Sequence, residues 1–130
     1  MNNNNIETGR VGELFAQSVL ERYGIRTVHV DIKGDDLWCK TPRDVFVKVQ
    51  VKSASKPVLY AKHYTKPKYV FCLHNVSNYN GIVLLVALDK QFLLAKKGAE
   101  IKTRNVKLKP ETFSAKAQED SIVERFDLAV

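Results

Sequence analysis

The chain has 130 residues, 45% of them hydrophobic and 27% charged. This is enough for one domain with a hydrophobic core and too short for two domains that each have one. It opens with no basic and apolar leader and holds no apolar run of membrane-spanning length, so we expect a soluble, cytoplasmic protein without a membrane partner. The net charge of +7 favours a polyanionic partner.

The N-terminal segment predicts a loose end followed by a helix. We expect residues 1–5 of the single domain, residues 1–130, to be disordered, because they are polar and have nothing to bury. Thr8 is a suitable N-cap for a helix that runs to Tyr23 with apolar side chains on one broad arc. Gly24 then ends the helix in the left-handed conformation.

Alternating and apolar segments separated by turn residues predict a run of strands after this helix. We place these strands at Ile25–Val30, Asp36–Lys40, Val45–Lys52, Tyr69–His74, Ile82–Leu88 and Phe92–Ala95. Residues 57–65 fit either a short helix or an extended loop, and residues 99–114 are irregular apart from an edge strand at Val106–Leu108. An amphipathic helix at Ala115–Phe126 closes the chain. This order predicts an α/β or α+β fold on a single sheet.

The cysteines and histidines give no sign of a disulfide or a zinc site. Cys39 and Cys72 both lie in apolar strand-like segments, so we expect two buried thiols in a reducing interior. Neither cysteine lies near a histidine at metal-ligand spacing, which argues against zinc. The sequence has no glycine-rich phosphate loop, so we expect no nucleotide cofactor.

Two basic clusters carry much of the positive charge. One covers residues 56–68 and is interleaved with tyrosines, and the other runs from Lys90 to Lys109 with Glu100 as its single acid. Each cluster alone is best explained as solvated surface, but the two together on so short a chain favour nucleic acid. We expect nucleic-acid contacts from Lys56, Lys62, Lys66, Lys68, Lys96, Lys97, Lys102, Arg104 and Lys107.

The segment VFVKVQVKS alternates strictly, with valines on one face and polar side chains, including Gln50 and Lys52, on the other. The preceding strand can pair with it so that Lys40 lies opposite Phe46. That register places Asp36 opposite Gln50, with Lys52 two residues further along the same face. A carboxylate, an amide oxygen and an ammonium then converge at a strand end, which suits a hard divalent cation such as Mg²⁺.

Glu13 is a further candidate acid, because it lies in the first turns of the predicted helix after Gly9 and Gly12. Its ordinary explanation is an acid favoured by the dipole near a helix N-terminus, and without context that explanation is the better one. Trp38 shares the face predicted for Asp36 and either walls a site there or is a packed strand aromatic.

Three short motifs occur in order along the chain: GRVGE at Gly9–Glu13, DDL at Asp35–Leu37 and QVKS at Gln50–Ser53. Together they resemble the PD-(D/E)xK nuclease superfamily, which includes restriction endonucleases, Holliday-junction resolvases and small intron-encoded homing endonucleases. The resemblance covers roughly the first 55 residues, and the rest of the chain is only compatible with it. It implies an α/β fold, with one restriction-endonuclease-like domain built on a central mixed β-sheet flanked by helices.

The resemblance implies a Mg²⁺-dependent endodeoxyribonuclease in which Mn²⁺ substitutes for Mg²⁺. The family's helix glutamate falls on Glu13, its metal-binding aspartate on Asp36 and its lysine on Lys52. The position that usually holds Asp or Glu falls on Gln50, and some branches, homing endonucleases among them, look similar. The implied catalytic residues are Glu13, Asp36, Gln50 and Lys52, with Glu13, Asp36 and Gln50 as the metal ligands.

In the implied reaction, the cation polarises a phosphate oxygen and lowers the pKa of a bound water. Lys52 orients that water and offsets the charge that develops in the transition state. The expected partner is DNA, double-stranded or branched. One such site cuts one strand, so cutting a duplex through implies a homodimer or a larger homo-oligomer.

Gln50 departs from the family pattern, because its amide brings an oxygen but no charge. Glu13 becomes more important as the remaining second acid, and Asp35 or Asp31 is an alternative to Asp36. The departure leaves open a non-catalytic nucleic-acid-binding domain derived from the same fold. A more distant alternative is a structural or interaction protein whose positive charge is incidental.

Overall fold

The computed structural model describes residues 3–32, 34–59, 65–73 and 78–128. None of the helices in these ranges is both long and apolar enough to cross a membrane. The helices and strands are α1 Asn3–Arg22, β1 Arg26–Ile32, β2 Asp35–Lys40, β3 Phe46–Ala54, β4 Tyr69–Cys72, β5 Ile82–Ala87, β6 Phe92–Lys97, β7 Asn105–Leu108 and α2 Ala115–Arg125.

Five of the strands form a mixed central sheet in the order β1-β2-β3-β5-β6. Strands β3 and β5 are parallel, and the other neighbours are antiparallel. The predicted α/β fold with a central mixed sheet is therefore confirmed. The prediction of a single sheet is wrong, because β4 pairs with β7 in a separate two-stranded sheet. Strand β4 cannot pair with β5, since β3 and β6 already occupy both edges of β5.

One apolar cluster lies on each face of the central sheet. The first lies between the sheet and both helices and includes Val19, Leu20 and Ile122. The second lies between the opposite face and the small sheet and includes Phe71 and Phe113. Every residue of β5 is buried, because both of its faces are covered. Both helices thus flank the same face of the sheet.

Helix α1 differs from its prediction at the N-terminal end. It begins at Asn3, so residues 3–5 are helical where a disordered end was expected, and Thr8 is not its N-cap. Nothing in that segment interrupts a helix, since it holds neither glycine nor proline. Gly24 follows the helix with a φ of 80°, as predicted.

Two residues expected in the core lie at the surface. Val45 is 53% exposed, because it belongs to the turn before β3, where its N–H donates to Thr41 Oγ1 at 3.2 Å. Cys72 is exposed, because the alternation of β4 turns Tyr69 inward and Cys72 outward. Cys39 is buried as predicted, and burial raises the pKa of its thiol to about 12.

The outer edge of β6 is covered by polar side chains of α2. The Leu93 N–H donates to Gln118 Oε1 at 2.9 Å, and the Ala95 N–H donates to Ser121 Oγ at 3.0 Å. These N–H groups would otherwise form the exposed edge of a sheet, which invites pairing with another chain. Helix α2 therefore both packs on the sheet and caps its edge.

Helix α1 approaches β3 closely where Gly12 faces Ser53. A Cβ atom built on Gly12 would lie 1.8 Å from Ser53 Oγ and 3.0 Å from Ser53 Cβ. A side chain at position 12 would force Ser53 or the helix to move. The contact holds the first half of the helix, including Glu13, beside the sheet.

Gly12→Ala should destabilise the fold by about 1–3 kcal/mol, because the helix or the strand must shift to accept the added methyl group. Gly9→Ala is a matched control, since nothing lies within 4 Å of a Cβ at that position. It should stabilise the helix by about 0.5–1 kcal/mol. Urea unfolding of the three proteins measures both changes, and equal effects would contradict the close approach.

Candidate active site

Strands β2 and β3 separate at Asp36. Their paired residues run from Lys40 opposite Phe46, the register expected from the sequence, to Leu37 opposite Val49. Beyond Leu37 a side chain replaces the backbone partner, since Asp36 Oδ2 accepts the Val51 N–H at 2.7 Å. The carboxylate thus bridges the two strands where they separate, through Oδ2, and its Oδ1 can bind another partner.

Gln50 and Lys52 lie on the face of β3 turned away from the helices. They are opposite Val83 and Leu85 of the neighbouring strand β5. Gln50 Oε1 is buried and accepts no hydrogen bond from any residue that the structure describes. An unsatisfied buried acceptor costs about 1–3 kcal/mol, so this oxygen is well suited to a cation or a water molecule.

Glu13 lies on helix α1, close enough to Asp36 to be affected by its charge. Its Oε1 lies 3.2 Å from His29 Nε2, and its side chain is only 23% exposed. Burial raises the pKa of Glu13, and the negative charge of Asp36 raises it further, while the contact with His29 opposes the rise. The two carboxylates therefore lie within range of each other's charge.

The pKa of Asp36 is also raised, and burial is the main cause. The hydrogen bond from the Val51 N–H and the positive charge of Lys52 oppose that rise. Two acids that are harder to ionise than usual, at one position in the fold, are a common feature of functional sites. A bound cation would favour the ionised form of both.

Asp35 and Asp36 are adjacent in sequence but differ in their surroundings. Asp35 is 9% exposed, and both of its carboxylate oxygens accept hydrogen bonds. Oδ2 accepts from Trp38 Nε1 at 2.9 Å, and Oδ1 accepts from the Tyr79 hydroxyl at 2.7 Å. Asp31, the other alternative, is exposed on β1. Asp36 is therefore better placed than either of them to bind a further group.

The donor set of Asp36, Gln50 and Glu13 fits a small, hard cation, because all three offer oxygen. In the part of the chain that the structure describes, no three His, Cys, Asp or Glu side chains form a metal-binding group. A cation at this site would therefore depend on the neutral Gln50 oxygen, and on water or phosphate oxygens for its remaining positions.

The fold is similar to that of a known nuclease. The chain matches the structure of a bacterial homing endonuclease, I-Ssp6803I, with a TM-score of 0.62 and 15% sequence identity. The match covers 78% of this chain and 72% of the other. The chain has an endonuclease-like fold. Neither protein-family models nor curated protein sequences give a significant match to it.

Within this endonuclease-like fold, the first basic cluster begins just after the strand that carries Lys52. Lys56 and Lys66 are exposed, and Lys68 is half-buried. The backbone of Lys68 exchanges two hydrogen bonds with Val58, at 2.8 and 2.9 Å. Lys62 lies outside the described residues. The cluster therefore follows the candidate site along the chain.

The second basic cluster divides between two parts of the fold. Lys96 shares a face of the central sheet with Gln50, because both are paired with Val83. The remaining residues expected to bind nucleic acid lie at the end of β6, in the following turns and in the small sheet: Lys97, Lys102, Arg104 and Lys107. Only Lys96 therefore shares the face that holds Gln50.

The sequence analysis missed three residues that shape the site. His29 was not selected as a site residue, although a β1–β2 hairpin places it opposite Leu37, on the side of helix α1. Ser53, within the QVKS motif, has a buried hydroxyl with no partner among the described residues. Tyr79 lies 44 residues from Asp35, so no local pattern predicts their contact.

Asp36→Asn should stabilise the metal-free protein near neutral pH, because it removes a half-buried charge and keeps an acceptor for the Val51 N–H. The raised pKa means that the folded state binds this proton more readily than the unfolded chain. The wild-type protein therefore loses stability as pH rises through the pKa of Asp36. Asp36→Asn is more stable than the wild type above that pKa, and the difference disappears in acid.

Asp36→Ala is the informative comparison, because it removes the acceptor together with the charge. We expect it to lose about 0.5–1.5 kcal/mol relative to Asp36→Asn. Thermal unfolding in EDTA, from neutral pH into acid, measures all three proteins. An asparagine variant less stable than the wild type at neutral pH would contradict this description of the site.

Proposed function

We propose that the chain is a divalent-cation-dependent endonuclease of the PD-(D/E)xK type that hydrolyses phosphodiester bonds in DNA. The supporting observation is that Asp36 lies where strands β2 and β3 separate, beside Lys52 and near an unsatisfied Gln50 oxygen, and within range of the charge of Glu13 on helix α1. The pKa of both carboxyl groups is raised. The endonuclease-like fold supports the same reaction, since the similar solved structure is that of a homing endonuclease.

The proposed ligands of Mg²⁺, or of Mn²⁺ in its place, are Asp36, Gln50 and Glu13. Asp36 would use Oδ1, because Oδ2 is bonded to the Val51 N–H, and Gln50 would use its buried Oε1. Such a cation, when bound, polarises a phosphate oxygen and activates water. The protein's part is to hold these oxygens in place before the substrate arrives.

Lys52 supplies positive charge where the reaction builds up negative charge. Its ammonium is close enough to Asp36 to lower the pKa of that carboxyl group. In the proposed reaction it orients the attacking water and stabilises the negative charge on the transferred phosphate. His29 holds the Glu13 carboxylate through a 3.2 Å contact.

The proposed partner is double-stranded or branched DNA, held by the lysines of the two basic clusters. Since those contacts are to phosphates, binding should weaken as salt increases. One site cuts one strand, so we propose a homodimer or a larger homo-oligomer for duplex cleavage.

A second candidate function is DNA binding without cleavage. It is favoured by the neutral Gln50 and by the lack of a third acid among the described residues at the proposed site. Two carboxylates bind a divalent cation less strongly than three do, so a weak site is consistent with a protein that binds DNA and does not cut it.

Incubation with Mg²⁺ or Mn²⁺ should nick or linearise supercoiled plasmid, and EDTA should abolish the reaction. Lys52→Ala should slow cleavage by about 10²–10³-fold, as expected when a group that stabilises transition-state charge is lost. Lys116→Ala is the matched control, since Lys116 is an exposed lysine on α2. Equal rates for the wild type and Lys52→Ala would rule out the proposed role of Lys52. Binding without cleavage in either metal favours the second function.

Gln50→Glu should bind Mn²⁺ more tightly than the wild type, because it adds a negative charge at a ligand position. Gln50→Leu should bind Mn²⁺ more weakly, and it should stabilise the metal-free fold by removing an unsatisfied oxygen. Calorimetric titration of Mn²⁺ compares the three proteins. Unchanged or weaker affinity in Gln50→Glu would argue against Gln50 as a ligand.

A further inference from the structure

The sheet face turned away from the helices is covered by the second apolar cluster at β5 and β6, but much less at β1–β3. On these three strands, opposed side chains form two rows. We term these six residues the open face: Arg26, Lys40 and Phe46 in one row, and Val28, Trp38 and Lys48 in the other. Val28 is 61% exposed and Phe46 is 56% exposed.

The open face is continuous with the candidate active site. Lys48 lies two residues before Gln50 on the same face of β3, a separation of about 6.6 Å along the strand. Trp38 lies two residues after Asp36 on the same face of β2. A DNA strand with its scissile phosphate at Gln50 would therefore pass over Lys48 and Trp38 as it leaves the site.

The charges of the open face are all positive, from Arg26, Lys40 and Lys48. Arg26 Nε lies 3.9 Å from a Glu21 oxygen, and Lys40 Nζ lies 3.8 Å from Asp44 Oδ1. Exposed ion pairs of this kind contribute little and exchange readily for other anions. The face therefore presents a positive surface that is complementary to a phosphate backbone.

The aromatic side chains of the open face are held in a fixed arrangement. Trp38 Nε1 donates to the buried Asp35 carboxylate, and the Trp38 and Phe46 rings meet edge to face with centroids 5.6 Å apart. An open cleft of about 390 Å³ adjoins Phe46 and is also lined by Lys48, Tyr79 and Lys97. Exposed aromatic rings among cations are typical of surfaces that bind nucleic-acid strands.

We propose that the open face binds the DNA strand next to the bond that is cut. Lys48 and Lys40 contact phosphates, Phe46 contacts a base or a sugar, and Asp35 is a positioning residue that fixes Trp38. This inference rests on the proposed function and extends it to a binding surface. A second copy of the chain fits this face less well, because a two-fold interface there would bring like charges together.

Trp38 is the single tryptophan of the chain, so its fluorescence reports on the open face directly. We would titrate a short DNA duplex, and separately one of its strands, into the wild-type protein in EDTA and again in Ca²⁺. Occupation of the open face should change the Trp38 emission in step with binding measured by fluorescence anisotropy of labelled DNA. The two DNA forms distinguish a duplex from an unpaired strand as the ligand.

Two variants separate the charge contribution from the aromatic contribution. Lys48→Gln should weaken binding and reduce the slope of log affinity against log salt by about 0.7–0.9, the effect of losing one phosphate contact. Phe46→Ser should weaken binding by about tenfold, the effect of losing one base–aromatic contact, and leave the slope unchanged. Lys116→Gln, on helix α2, is the matched control for the first and should change neither quantity.

The outcomes distinguish this inference from the proposed function. DNA binding without a change in Trp38 emission, and with normal affinity in both variants, would overturn the open-face inference and leave the nuclease proposal standing. Failure to bind DNA under any of these conditions would overturn both. A DNA-free dimer that Phe46→Ser dissociates would show that a second copy covers the face, which also overturns the inference.

Discussion

The hydrogen bond from the Val51 N–H to the Asp36 carboxylate is the interaction on which the candidate site depends. It forms where β2 leaves β3, so it satisfies a backbone group that the separating strands would otherwise leave without a partner. Because the strands separate there, the Asp36 carboxylate lies close enough to Lys52 and Glu13 for their charges to interact. Asp36 thus accepts a backbone hydrogen bond through Oδ2, and its Oδ1 remains for the proposed metal.

The sequence predicted best the parts of the fold that local patterns determine. The β2–β3 register follows from alternation and a short turn, and Gly24 follows from helix-ending chemistry. The pairing of β4 with β7 did not follow, because it depends on β5 having both edges already occupied, which is a property of the assembled sheet. The early start of α1 was missed because its first turn lacks an apolar pattern.

The candidate site likewise has features that the sequence predicted and features that only the folded structure reveals. Asp36, Gln50 and Lys52 were selected from the expected strand register, and motif order supported them together with Glu13. Their roles remain predictions. The choice between Asp35 and Asp36 rested on an expected strand face, whereas the structure separates them by their hydrogen-bond partners, one of which is the distant Tyr79. Unsatisfied buried oxygens, such as that of Gln50, exist only once the chain is folded, so no sequence pattern reveals them.

The covering of the β6 edge by α2 has a consequence for how copies of this chain can associate. Gln118 and Ser121 occupy N–H groups of β6 that an incoming strand would need. At the far edge of the central sheet the Glu21 carboxylate occupies the Thr27 N–H, so a strand added at β1 would pair beyond Thr27. Two chains joined there would share one continuous ten-stranded sheet, since each contributes five strands. Their cationic surfaces would then lie side by side on a single broad platform, long enough to follow a nucleic acid from one subunit to the next.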